Sequence, residues 1–516
     1  MTTKTSAGQR LPLLRLIALT AAALCIHGYH LGVEDSEIYV PAAKKLLDPT
    51  LYPYATEFFL SHGHLSLFSN ILAWTSELTH LPMDWTVLLW YVALLFGMIA
   101  SCWMLASACF DSARARWSAT AIATAVLSMP AANTSLLLVD PYLTARSFST
   151  PLTLFTLASY LEGKYARATV AMAVMATIHP QMVMYLVFLM GVMRIAELWK
   201  KPVPEPVPVM ASFALLGVLP TGFHFSAATG PYREALYSRD YFFLSNWEWY
   251  HWLGLLAPLA ILAVFWKSAA IWKPEPLLME EGEWQGGLRG TKQGFERLSF
   301  AMIPFGLLSI AAALVFSTSH TLDMFARLQP LRSFHLITIV FLLLLGGVVG
   351  EYLGRKRAWV PAVLATGLAV GMFAVARQTY PASPQVELPA VTSSNPWVNS
   401  LLWVRQNTPK DAVFAVDSRY FKDDGTDVHG FRSIAERSVL ADYFKDGGVV
   451  SLFPDLAVEW KQMSDATYGL NHFSAADFTR LRKAYPAISW TVIHGNGPAG
   501  LTCPYQERGF TVCRLP

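Results

Sequence analysis

Charge is scarce in this chain. Asp, Glu, Lys and Arg make up only 15% of its 516 residues against 54% hydrophobic residues, too polar-poor a balance for a soluble enzyme of ordinary composition. The net charge is only +3, so nothing points to a nucleic-acid partner. Cysteine is rare too: of the five, Cys25, Cys102 and Cys109 fall in apolar runs, where a thiol behaves as a small hydrophobe. Acidic residues are nearly absent from those runs and no internal repeat is evident, which weighs against a transporter.

What is present is length of apolar sequence. Windows of about 20 apolar residues, enough for a helix to cross a bilayer, recur from residue 11 to about 378. Candidate spans lie at about 11–31, 84–109, 117–138, 147–162, 168–179, 181–197, 207–226, 251–272, 298–318, 331–353 and 358–378, about eleven in all. The fold class expected is therefore an α-helical polytopic membrane protein. Lys4, Arg10, Arg114, Arg116, Lys164, Arg167, Lys200, Lys267, Lys273, Arg355 and Lys356 fall in one set of loops and termini, which the positive-inside rule makes cytoplasmic. The N-terminus is then inside and the first loop and C-terminal region outside. The basic start before the first run also fits a signal peptide, but "CIHGYHLGVEDS" has no convincing small-x-small cleavage site, so a retained helix is expected. His179-Pro180 divides the stretch holding spans five and six, predicting two short helices that meet partway through the membrane.

Residues 379–396, rich in Pro and Ser, read as a linker. Residues 397–516 alternate helical and strand patterns, predicting a small extracytoplasmic α/β domain. It carries no glycine-rich phosphate loop, nucleophile elbow or metal spacing. Cys503 and Cys513 bracket a hairpin-like segment and are the disulfide candidate, against two reduced buried thiols.

The chemistry-bearing residues cluster around "LGVEDSEIYVPAAKKLLDPTLYP", residues 31–53. Glu34 and Asp35 stand at the mouth of the first helix, where a partly buried carboxylate can have its basicity tuned; a solvated loop is the plainer alternative. The loop of about 32–83 reads as an amphipathic helix, a Pro-Tyr-rich turn and a second helix on the membrane surface, a roof for a cavity. His62 and His64 lie on it, as surface histidines or as ligand contacts. Arginines stand near helix mouths: Arg146, Arg239 and, in "FARLQPLRSFH", Arg327 and Arg332 with Gln329 and His335. Guanidinium suits bidentate contact with phosphate, and snorkelling to the interface competes with that role. Asp140 and Arg146 fit a structural pair. His179 is a helix break first and a cavity contact second.

This order resembles the C-type superfamily of integral-membrane glycosyltransferases, which includes the protein mannosyltransferases and the lipid A aminoarabinose transferases. The shared features are an inside first helix, an acidic pair opening a long outer loop with surface helices, about ten further spans and an outer domain. "LLDPTLYPYATEFF", "RLQPLRSFHLI", "WVRQNTPKDAVFAVDS" and "FRSIAERSVLADYFK" are similar to a group of bacterial members with a C-terminal periplasmic domain. The resemblance implies a bacterial inner-membrane enzyme that moves a sugar from a polyprenyl-phosphate donor to a lipid, glycan or protein acceptor at the outer face. It implies Asp35 as base beside Glu34. Glu37, His62, His64, Arg146, His179, Arg239, Arg327, Gln329 and Arg332 are then the candidate substrate contacts. Because the phosphate leaves already ionised, no cofactor is required; a divalent metal on the acidic pair is possible chemistry but is not favoured. A transporter or lipid flippase, or a non-catalytic scaffold with a partner-binding outer domain, are the competing readings.

Overall fold

The computed structural model describes residues 12–200, 227–271 and 293–515. The seventh expected span, 207–226, and, of the basic residues named above, Lys4, Arg10 and Lys273 lie outside the described residues. The chain is a helical membrane protein with a small C-terminal α/β domain. Among the described residues, five helical stretches are long and apolar enough to cross a membrane: Met83–Cys109, Trp249–Ala269, Gln293–Ser317, His320–Lys356 and Val360–Thr379. Shorter apolar helices accompany them.

Helix α1 (Leu13–His27) leads into α2 (Ser36–Leu47), α3 (Glu57–Gly63) and α4 (Phe68–Thr79) of the first loop, then α5 (Met83–Cys109) and α6 (Ala113–Ala125). The second loop helix expected from sequence is thus two. The break falls at Gly63, where α2 packs so closely that a Cβ would sit 3.0 Å from that of Ala42. Span 117–138 also needs correction. Its helix stops at Ala125, and the chain runs on irregularly to α7 (Ala145–Leu161), because Pro130 has no N–H to give and disfavours helix before it. His27 Nε2 meets the carbonyl of Thr124 at 2.8 Å where α6 ends. Helices α8 (Tyr165–Ile178) and α9 (Pro180–Lys200) meet at His179, as the His-Pro break predicts.

Absent side chains set the closest helix packing. The helix Ser333–Val348 lies against α6 at Gly346, where a Cβ would come within 3.0 Å of the Ala119 backbone, and Ser118 Oγ donates to the Gly346 carbonyl at 2.7 Å. Small residues at such a crossing let helices approach where apolar burial gives little drive.

In the C-terminal domain β1 (Val413–Ala415), β2 (Ser438–Val439), β3 (Ile488–His494), β4 (Thr502–Glu507) and β5 (Phe510–Arg514) form one sheet of order β2-β1-β3-β5-β4. β1 is parallel to β2 and β3, while β3, β5 and β4 are antiparallel. Cys503 and Cys513, on the paired strands β4 and β5, are bonded, with S–S 2.06 Å. Sequence patterning anticipated β1, β2, β3 and β5 but neither the helix Lys445–Leu452 nor Ala457–Ala466.

The segment read as a linker is tied down. Val386 bridges to Tyr29, and the Glu387 carboxylate accepts from the Leu31 amide at 3.0 Å and pairs with His30 at 3.3 Å and His429 at 3.0 Å. It straps the mouth of α1 to the C-terminal domain. A square of charge adds to this contact: Lys44 meets Asp84 at 3.0 Å and Glu436 at 2.8 Å, and Arg405 meets the same two carboxylates at 2.8 Å each.

Candidate functional site

The turn after α1 delivers Glu34, Asp35 and Glu37 to two different places. Glu34 adopts a left-handed backbone, φ 52°, its amide donating to the Val428 carbonyl at 2.9 Å. Asp35 sits at the N-terminus of α2, where a carboxylate is favoured by the helix dipole. Its carboxylate meets Lys445 Nζ at 3.1 Å and Arg146 Nη2 at 3.3 Å, and Lys445 also pairs with Glu34. Burial opposes the charge of Asp35, but Lys445, Arg146 and the more distant Arg332 outweigh it and hold the carboxyl well below its usual range. The same pairing raises Lys445 against the cost of its own burial.

Arg146 is held from behind. Its Nε and Nη2 donate to Asp140 at 3.2 and 2.9 Å, so the expected Asp140–Arg146 pair is present and carries Asp35 as a third member. A capping box of Thr144 and Ser147 starts α7 and fixes where Arg146 stands.

His62 and Tyr39 stand on the loop side, hydrogen-bonded Nε2 to Oη at 3.0 Å. Burial pushes His62 down to about 4 against the pull of Asp35, so it is neutral at pH 7, and its enclosed Nδ1 has no partner among the described residues. His179 lies within electrostatic reach of Arg146, Arg332 and His62. Arg332 lies over the Tyr241 ring, 5.4 Å from its centroid, with no carboxylate partner among the described residues and its Nε enclosed. Gln329, in a left-handed backbone and with its enclosed Oε1 unpartnered among the described residues, shares a narrow crevice with Arg332, Tyr241 and Thr134.

Four expected contacts are placed elsewhere. Glu37 is fully enclosed and accepts from the amides of Arg432 and Ser433 at 2.8 and 3.0 Å, capping the helix Phe431–Ala435 of the C-terminal domain. Arg327 donates to the carbonyl of Leu452 at 3.3 Å, where a cation suits the end of the helix Lys445–Leu452. Arg239 donates to the carbonyl of Phe444 and lies against Gly447 and Gly448. These three are engaged in holding the C-terminal domain, because a polar group enclosed at that contact must find its partner there. His64 is exposed at the end of α3, apart from the cluster.

Asp35, Glu34, Arg146, His62, His179, Gln329 and Arg332 are thus brought to one neighbourhood. Lys445 was missed: it closes the stretch "FRSIAERSVLADYFK", but it lies 410 residues from Asp35 and nothing local in that stretch points to the acidic pair. As donors for a divalent metal the acidic pair is compromised by the two cations bonded to it, and among the described residues no group of three or more His, Cys, Asp or Glu is placed to hold one.

No family model matches the chain and no curated protein does. Among solved structures, ArnT from Cupriavidus metallidurans in the apo state matches with a TM-score of 0.38 and 11% identity, over 98% of this chain and 98% of that one. A likeness of that size assigns neither family nor activity.

Proposed function

We propose that the chain is an integral-membrane glycosyltransferase that moves a sugar from a polyprenyl-phosphate donor to an acceptor hydroxyl at the outer face of the bacterial inner membrane. The observation that carries this reading is one neighbourhood holding a part-exposed carboxylate, Asp35, paired with Lys445 and Arg146, and a guanidinium, Arg332, that has no carboxylate partner among the described residues and whose Nε is enclosed. A base and an anion-holding group are what displacement of a phosphate requires.

In this scheme the donor phosphate lies against Arg332 with Gln329 and Tyr241. The acceptor oxygen attacks the anomeric carbon, its proton passes to Asp35, and the carbon–oxygen bond to phosphate breaks with its electron pair left on the phosphate oxygen. One displacement inverts the anomeric carbon. Arg146 keeps Asp35 ionised, the state in which it accepts a proton, at some cost in basicity. Neutral His62 and Tyr39 line the side from which the acceptor approaches. The C-terminal domain is then periplasmic.

The test is transfer from a labelled polyprenyl-phosphate hexose in membranes carrying matched amounts of wild type, Asp35→Asn and Arg332→Ala. Loss of the base is expected to slow transfer about 10²–10⁴-fold, and loss of Arg332 to raise the KM for donor more than it lowers kcat. Undiminished transfer in Asp35→Asn, or none in wild type, would sink the reading.

A further inference from the structure

Three cations surround Asp35, and they are held differently. Arg146 is shared with Asp140, only 5% exposed, so its departure would strand a buried carboxylate. Arg332 is laid over Tyr241. Lys445 is fixed only at its backbone: the amides of Phe444 and Lys445 donate to Asp442 Oδ1 at 2.7 and 2.6 Å, and Asp446 forms a two-bond pair with Arg432 at 3.0 and 2.7 Å. Its ammonium, on a four-carbon stem, touches the part-exposed Glu34 and Asp35 and lies 5.9 Å from the Phe421 ring centroid. Of the three cations it is the one that can turn away while every fully buried carboxylate keeps its partner.

We propose that Lys445 is the exchangeable counter-cation of the acidic pair, a positioning residue supplied by the C-terminal domain. It holds Glu34 and Asp35 until a ligand enters and then turns to the ligand's anionic group, leaving Asp35 able to accept a proton. The inference rests on the transferase reading only for the identity of that ligand. The base stays masked in the absence of donor, which protects against proton transfer without a sugar to move. The other ionisable groups facing Asp35 are Glu34, Arg146, Arg332, Tyr39 and His62, with Asp140 and Tyr142 behind Arg146. Each of them stays in place during the exchange.

The experiment uses the full chain in lipid nanodiscs. Asp35 is labelled with a water-soluble carbodiimide and an amine across a pH series and read by peptide mass spectrometry; the reagent takes the protonated acid, so labelling rises as pH falls. Lys445→Met is expected to raise the midpoint by about 1–3 pH units, the effect of one close opposite charge, and Lys445→Arg to keep it near the wild-type value. Adding farnesyl phosphate is expected to raise the wild-type midpoint by more than that of Lys445→Met, in which only the phosphate's approach to Arg332 acts on Asp35. An unmoved midpoint in Lys445→Met, or a lipid-induced shift as large in it as in wild type, overturns the proposal. So does a wild-type midpoint that ignores farnesyl phosphate, an arm that needs no variant to fold. None of these readouts requires turnover. Exchange without transfer would therefore refute the transferase reading alone, and transfer without exchange would refute this one alone.

Discussion

Glu37 and Asp35 stand two residues apart at the start of one helix, and their surroundings differ in kind. The Glu37 side chain is 0% exposed, bonded to two amides of the C-terminal domain and 3.6 Å from Arg432, which in turn holds Asp446. Asp35 is 27% exposed and shares its cations with Glu34 and Asp140, with a guanidinium nearby, Arg332, that has no carboxylate partner among the described residues. The first carboxylate is closed on every side by the protein it joins. The second keeps an open face and partners that can be redistributed. Carboxylates within one helical turn thus divide into a joint and a site, and what divides them is enclosure and the completeness of their bonding.

The sharpest way to break this comparison is to open the joint. Arg432→Met leaves Glu37 and Asp446, both fully buried, without their guanidinium, and a loss of about 3–5 kcal/mol is expected in thermal or denaturant unfolding of the purified chain. A loss under about 1 kcal/mol would show that the joint is not where the domain is held.

The pH response of the joint separates it further. Burial raises Glu37 to about 7, with Arg432 and the two amides pulling the other way. A carboxyl raised on folding contributes stability that is fully present below its unfolded value near 4.5 and is lost as pH rises through about 7. Glu37→Gln is expected to flatten stability between pH 5 and 8, a change of about 3 kcal/mol at most. Asp35, held low, shows the opposite sign and contributes stability that is lost only in acid, below its unfolded range. An unchanged slope in Glu37→Gln would remove that contrast. The smallest effect belongs to a histidine outside both regions: His64→Ala, exposed, should leave stability within about 0.5 kcal/mol and transfer unchanged. A marked loss of activity there would extend the site along the loop.

Much of this was legible in the residues. The apolar runs marked the helices, His179-Pro180 marked the meeting of α8 and α9, and the alternating "AVFAV" and "GFTVC" marked two strands. The stop of α6 at Ala125 was masked because "VLSM" before Pro130 is as apolar as a helix interior, and the interruption between Gly63 and Phe68 carries no proline to mark it. Of the site, the acidic pair, Arg146 and Arg332 could be picked out by residue type and position. That Arg327 and Arg239 hold the C-terminal domain could not, since each bonds a carbonyl more than a hundred residues away.

By itself, then, the order of residues determined a helical membrane protein with an α/β tail and an acidic mouth to its first helix, because hydropathy and periodicity act over one element at a time. Only the tertiary structure decided that Lys445 faces Asp35, that Glu37 joins the domains and that the strap at 379–396 is pinned through Glu387. Ion pairs across hundreds of residues depend on which surfaces the packed helices and sheet bring together, and no local pattern encodes that.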